Sequence, residues 1–145
     1  MKLAELNAVR ILGPESKERF VLDETSVEKF HLDCKSGKKS RNYDFIISNP
    51  PYIPSKNIGT LDLQIRKYES CLALDGGEDG LKIIKEILDL GSLCLRANGY
   101  IFLEIDSSHG EDIKTLMKNY SNLNLEGVIN DYYGSIRYAI IRKKL

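Results

Sequence analysis

Asp44-Phe45-Ile46-Ile47-Ser48-Asn49-Pro50-Pro51-Tyr52 is the stretch that decides how this chain folds. Residues 45–48 are uncharged and largely apolar without alternation, the pattern of a strand covered on both faces. Pro50 and Pro51 then stop the strand, because neither can donate to a ladder. In an open α/β sheet, ligands sit just beyond the carboxyl ends of the strands. Asn49, Pro50, Pro51 and Tyr52 are therefore expected at the functional end of a sheet.

The residue types at that end define a chemistry. Asn49 offers a side-chain carbonyl oxygen. Pro50 offers a backbone carbonyl, on a backbone that Pro51 holds extended. Two acceptors at short range suit a planar NH2 group, either a side-chain amide or the exocyclic amine of a base. Hydrogen bonds from that NH2 orient it and push electron density onto its nitrogen. Tyr52 can cover the flat face of the same group. The plainer alternative is a strand-ending turn that happens to contain two prolines.

Composition excludes several other classes. The 145 residues fit one domain, and 42% hydrophobic with 29% charged residues is ordinary for a globular chain. With 21 basic and 21 acidic residues the net charge is zero, unlike the basic footprint of a nucleic-acid-binding domain. Cys34, Cys71 and Cys94 are odd in number and widely spaced, which reads as reduced thiols rather than a disulfide framework. There is no C-x-x-C pair, and His31 and His109 are the two histidines, so a metal site is not expected. No run approaches the roughly 18 apolar residues of a membrane span. Nor does the N-terminus carry the apolar core of a signal peptide.

Residues 2–10 read as a helix closed by Gly13-Pro14, and residues 19–22 as a short strand. Residues 35–41, Lys-Ser-Gly-Lys-Lys-Ser-Arg, read as a polar basic loop, with an RNA contact as the alternative. Residues 53–79 are long for a loop, and long loops are usually functional. Arg66, Tyr68 and Glu69 either shape a cleft there or pin the loop to the sheet. Asp75-Gly76-Gly77-Glu78-Asp79-Gly80 with Glu86 mimics a calcium loop, but Gly77 and Lys82 break the pattern. A turn whose acids favour the start of the next helix is the better reading.

Leu81, Ile84, Ile87-Leu88 and Leu93-Leu95 follow helical spacing, with a stop expected near Asn98-Gly99 and a strand over 100–105. Ser107 or Ser108 is expected to cap a helix reaching Asn119, with Ile113, Leu116 and Met117 inward. Strands over 123–129 and 137–141 with a tight return predict an antiparallel hairpin at a sheet edge.

The 44–52 stretch resembles the substrate motif of amino-group methyltransferases that use S-adenosylmethionine. Ile53-Pro54, Arg66-Lys67-Tyr68-Glu69 and Leu72-Ala73-Leu74-Asp75-Gly76-Gly77-Glu78-Asp79-Gly80 are similar to motifs of the HemK/PrmC family. Leu103-Glu104-Ile105-Asp106 and Asp131-Tyr132-Tyr133-Gly134-Ser135-Ile136-Arg137 resemble that family's last strands. Ser70 stands where the family usually has proline. Asp106, followed by His109, is closer to the animal mitochondrial branch than to bacterial members, which have glycine at the first position.

This resemblance implies a class I methyltransferase fold, an α/β Rossmann-like sheet ending in an antiparallel hairpin. It implies methylation of the glutamine in the Gly-Gly-Gln motif of a peptide-chain release factor. Asn49, Pro50 and Tyr52 would be catalytic, and Pro51 would join them in holding substrate. Asn49 and Asp23 would touch the cofactor, Asp23 by framing adenine after the strand at 19–22; a solvated turn is the alternative. Residues 2–8 look like the helix after the family's second strand, and no glycine-rich run occurs before Asp44. The expectation is thus that residues 1–145 form the C-terminal portion of one domain, without its first two strands and without its main cofactor loop. The expected partner is a release factor, with neither nucleic acid nor membrane in direct contact. The expected location is mitochondrial by the animal-branch likeness, otherwise cytoplasmic, with no targeting segment within these residues. A base-amine methyltransferase, or an inactive fragment that retains substrate binding, are the alternatives.

Overall fold

Tyr43–Ser48 forms strand β1, Leu95–Glu104 β2, Leu123–Asn130 β3 and Ile136–Lys143 β4 in a computed structural model that describes residues 2–39 and 42–145. The sheet order is β1-β2-β4-β3. β1 and β2 run parallel, whereas β4 is antiparallel to both β2 and β3. The terminal hairpin therefore forms as expected, and β3 closes one side of the sheet. Parallel pairing of β1 with β2 requires a long crossover, and residues 49–94 supply it.

Helices α1 (Lys2–Leu12), α2 (Ser16–Arg19) and α3 (Val27–Lys35) precede β1. Helix α4 (Leu63–Tyr68) and α5 (Lys82–Cys94) lie in the crossover, and α6 (Gly110–Met117) follows β2. The core forms between one sheet face and α5. Ile84, Ile87 and Leu88 are buried there against Ile101, Leu103, Ala139 and Ile141, with Ile113 of α6 beside them. Each such side chain contributes about 1.5–3 kcal/mol by leaving water. A second cluster, Cys34, Leu90 and Cys94, joins α3 to α5, and Tyr43 and Ile46 pack on it.

The opposite face of β1 is bare. Phe45 and Ile47 are 58% and 79% exposed, while Ile46, which faces the helices, is half-buried. Burial of β1 on both faces is corrected here, because α3 and α5 cover one side only. The outer edge of β1 is open among the described residues.

Other expectations need correction. Residues 19–22 are not a strand: α2 ends at Arg19, and residues 20–26 have no regular structure. A strand needs a ladder partner for its backbone groups, and among the described residues none pairs with this segment. The helix expected to stop near Asn98 ends at Cys94, and the strand expected from Tyr100 begins at Leu95. Asn98-Gly99 instead forms an irregularity within β2, where Tyr43 pairs with Leu95 but Phe45 with Tyr100. Asn98 has φ 62°, and a Cβ on Gly99 would meet the Asp44 carbonyl at 2.9 Å. That dipeptide thus lets two backbones approach, and it ends no helix. Finally, Asp106 rather than a serine caps the turn after β2, accepting from the Ser108 amide at 2.9 Å and its hydroxyl at 2.6 Å. Part of the basic loop, residues 40–41, lies outside the described residues.

Candidate active site

The last ladder pair of β1 joins Ser48 to Leu103, and Asn49 follows directly at the carboxyl end of the strand. Asn49 is exposed and Pro50 buried. Among the described residues, no side-chain hydrogen bond engages the Asn49 amide. No backbone hydrogen bond outside the ladders ends on the Pro50 carbonyl. Both acceptors named from the sequence are thus adjacent and uncommitted.

The chain beyond Tyr52 is fastened by the Asp75–Gly80 turn. Ile53 forms a parallel bridge with Asp75, its amide donating to the Leu74 carbonyl at 3.0 Å and its carbonyl accepting from Gly76 at 2.9 Å. The Ser55 amide donates to the Gly77 carbonyl at 2.9 Å, and its hydroxyl to the Asp75 carboxylate at 2.7 Å. Gly80 has φ +77°, and a Cβ there would fall 2.4 Å from the Tyr52 carbonyl oxygen. Two acids of the calcium-like pattern, Asp75 and Asp79, have local work. Asp75 accepts from the Gly77 amide, and Asp79 accepts from the Leu81 amide just before α5 and pairs with Lys85 at 2.6 Å. Ser55 and Gly77 hold the Asp75 carboxyl below its usual range, and Lys85 and Leu81 do the same for Asp79. Among the described residues, no group of three His, Cys, Asp or Glu side chains could hold a metal ion.

Tyr52 is half-buried within a polar cluster from β2, β4 and the turn before α6. Its ring meets that of His109 edge-on, with centroids 6.4 Å apart at 84°. His109 is buried, and its Nδ1 has no hydrogen-bond partner among the described residues. Burial pushes the Tyr52 phenol up; the Glu104 carboxylate adds to this, and the Arg137 guanidinium opposes it. Arg137 also pairs with Glu104 at 3.6 Å. Its charge helps the Ser108 hydroxyl and amide to lower the Asp106 carboxyl.

A groove of about 420 Å³ opens beside Asn49 on the bare face of the sheet, lined among others by Ile47, Ser48, Phe102, Glu104 and Tyr138. Asn49 is common to this groove and to the acceptor pair. Asp23 is placed elsewhere: it pairs with Lys39 and acts on the Tyr43 phenol at the start of β1. Six residues of strand, about 20 Å, separate Tyr43 from Asn49, so Asp23 and Asn49 are not brought together. Arg66, Tyr68 and Glu69 lie exposed on and just after α4. Glu104, His109 and Arg137 are the site residues that motif reading left without a role. The signal was present: Glu104 and Arg137 are charges within two otherwise apolar strand ends.

No protein-family model matches this chain. The human MTRF1L release factor glutamine methyltransferase is 41% identical over 120 residues, covering 78% of this chain and 36% of that protein. Release factor glutamine methyltransferases of Thermosynechococcus vestitus and Clostridium acetobutylicum are 34% and 31% identical, over 66% and 83% of the chain and 33% and 42% of theirs. Among solved structures, the E. cuniculi Mtq2-Trm112 complex, responsible for methylation of the eRF1 translation termination factor, aligns over 75% of this chain and 56% of that one, at TM-score 0.43 and 18% identity. Through its likeness to these sequences the chain falls among methyltransferases. More narrowly, the chain belongs to the release factor glutamine methyltransferase family, the HemK/PrmC family of the sequence resemblance. It spans between 33% and 42% of the length of these relatives.

Proposed function

We propose that residues 49–52 form the amide-holding part of a site that methylates the glutamine of a Gly-Gly-Gln release-factor motif. The observation that carries this reading is the uncommitted pair of acceptors, the Asn49 amide oxygen and the Pro50 carbonyl, at the carboxyl end of β1. An amide nitrogen is a poor nucleophile because its lone pair is delocalised into the carbonyl. Accepting both N–H bonds raises the electron density on nitrogen and fixes the amide plane. The Tyr52 ring holds that plane and keeps water off one face. Alignment of two reactants lowers the barrier without a metal or a strong base.

S-adenosylmethionine, when bound, supplies a methyl group on a sulfonium and leaves as a neutral thioether. The residues present fit the methyl-bearing end of that cofactor: the groove beside Asn49 is largely apolar and open to the acceptor pair. For the ribose they do not fit, since no glycine-rich loop occurs before Asp44 and Lys39 engages Asp23. We infer a mitochondrial setting from Asp106 and His109, the pair that resembles the animal branch.

Mass spectrometry of a Gly-Gly-Gln release-factor domain, incubated with the chain and millimolar cofactor, tests the reading. A single methyl on the glutamine amide is expected. Asn49→Ala should cut its rate by about 10²–10³, the scale of losing one positioned hydrogen bond at a reacting centre. Equal rates in both chains would overturn the assignment. The bare face of β1 favours a second reading, a chain that binds the substrate amide without methylating it. Amide-selective binding with no methyl transfer would be its signature.

A further inference from the structure

We propose that the β3–β4 turn, through Tyr132 and Tyr133, is a docking surface for the folded domain that carries the substrate glutamine. The proposal deepens the amide-methylation reading and rests on it. Residues 49–52 can hold one amide group, and any accessible glutamine side chain offers that. Choosing one protein over another needs contacts away from the reacting atoms. Among the described residues, Tyr132 and Tyr133 are the most exposed aromatic side chains, at 98% and 89%.

Their turn leaves the sheet at the same end as Asn49. Ile136 of β4 pairs with Asn130 of β3, and the Arg137 carbonyl accepts from the Ile105 amide at 2.9 Å, just past the end of β2. Ser48, Leu103 and Ala139 are level across β1, β2 and β4. From Ala139 to Ile136 is about 10 Å along the sheet, and two strand spacings, about 10 Å, separate β4 from β1. Ile129 and Tyr138, a ladder pair of the same hairpin, line the groove together with Asn49. A protein interface covers about 800 Å² of each partner, a patch about 30 Å across. A domain that seats a loop on Asn49 therefore reaches the turn.

Local hydrogen bonds fix the turn before a partner arrives. The Asp131 carboxylate accepts from the Tyr133 amide at 2.9 Å and the Ser135 amide at 3.0 Å. The Asp131 amide donates to the Ser135 carbonyl at 2.7 Å, and the Gly134 amide to the Asp131 carbonyl at 3.1 Å. Gly134 takes φ 86°, a backbone that disfavours a side chain. The two rings meet edge to face, 5.7 Å apart at 85°. A preset surface loses little freedom on binding. Each tyrosine supplies an apolar ring and a hydroxyl donor on few rotatable bonds. That combination fits an apolar patch of a folded protein with carbonyl or carboxylate acceptors at its margin. Exposed tyrosines can also stack on the bases of RNA, but a net charge of zero supplies no basic footprint for it.

The test measures binding to the full chain by calorimetry. Its probes are a Gly-Gly-Gln release-factor domain, the same domain carrying Gly-Gly-Ala, a short Gly-Gly-Gln peptide and a single-stranded RNA oligonucleotide. Tyr132→Ser combined with Tyr133→Ser should weaken the Gly-Gly-Gln domain at least about tenfold, the scale of losing an aromatic anchor, and leave the peptide unchanged. The urea midpoint should stay in place, because both side chains stand in water. Tyr132→Phe with Tyr133→Phe should lose less, since the rings remain. Asp131→Ala, which keeps both tyrosines but frees the turn, should fall between. Equal affinity of the domain for the unmodified chain and the double serine variant would overturn the proposal. So would a domain that does not bind the unmodified chain, or a peptide weakened as much as the domain. RNA binding lost in the serine variant while the domain still binds would name the wrong occupant and overturn it too. If the Gly-Gly-Ala domain binds as tightly as the Gly-Gly-Gln domain, the amide reading fails, and its dependence on the tyrosines still decides the docking surface.

Discussion

Gly80 marks how little space the site leaves. Its φ of +77° disfavours any side chain, and a Cβ would meet the Tyr52 carbonyl at 2.4 Å. Gly80→Ala should therefore cost about 1–3 kcal/mol in urea unfolding, the scale of local backbone strain. Gly59 has no positive φ and nothing within 4 Å of its Cβ position. Gly59→Ala should be neutral or stabilising by up to about 1 kcal/mol. Asp106 gives a pH signature. Its carboxyl lies below its usual range, first because of the Ser108 hydroxyl and amide. A lowered folded value means stability that is present above the unfolded value, about 3.9, and lost as pH falls through the folded one. The stability gap between the chain and Asp106→Asn should accordingly narrow on acidification below about pH 4. At this scale the sequence was informative about type and weak about partners. Two prolines after an apolar run placed Asn49 correctly, because they end a strand wherever they occur. Tyr52's neighbours were not legible, since Gly80, His109 and Arg137 converge on it only through tertiary packing.

Among the elements, β1 carries the clearest liability. Ile47 is 79% exposed on a strand whose outer edge is open among the described residues. Such an edge is a template for pairing with another chain. Ile47→Lys should reduce self-association in light scattering while shifting unfolding by no more than about 0.5 kcal/mol, as for a surface site. Ile101→Ala, fully buried on the neighbouring strand, should instead cost about 2–5 kcal/mol. Periodicity predicted α5 and the β3–β4 hairpin because both patterns are local. It failed at residues 19–22, where a strand depends on a partner that composition does not reveal. It failed again at Asn98-Gly99, whose stop signal is equally the signal of a backbone irregularity. The Asp106 cap was misassigned to serine because both residue types satisfy a helix start.

At the level of the whole molecule, two halves of a function separate. The acceptor pair, the Tyr52 cluster and the groove lie within residues 1–145, whereas no glycine-rich loop does. Calorimetry should therefore show S-adenosylmethionine binding weaker than about micromolar, a dissociation free energy below about 8 kcal/mol. On the proposed reading, recognition of the substrate amide should survive nonetheless, because that reading assigns it to residues 49–52. The most direct measurement compares two peptides by NMR, one containing Gly-Gly-Gln and one Gly-Gly-Glu. A pair of acceptors favours the glutamine NH2 and repels the carboxylate. The account predicts that the glutamine peptide moves the Asn49 side-chain and Tyr52 ring resonances and that the glutamate peptide does not. Equal responses to both peptides, or movement confined to residues away from the 49–52 segment, would contradict it.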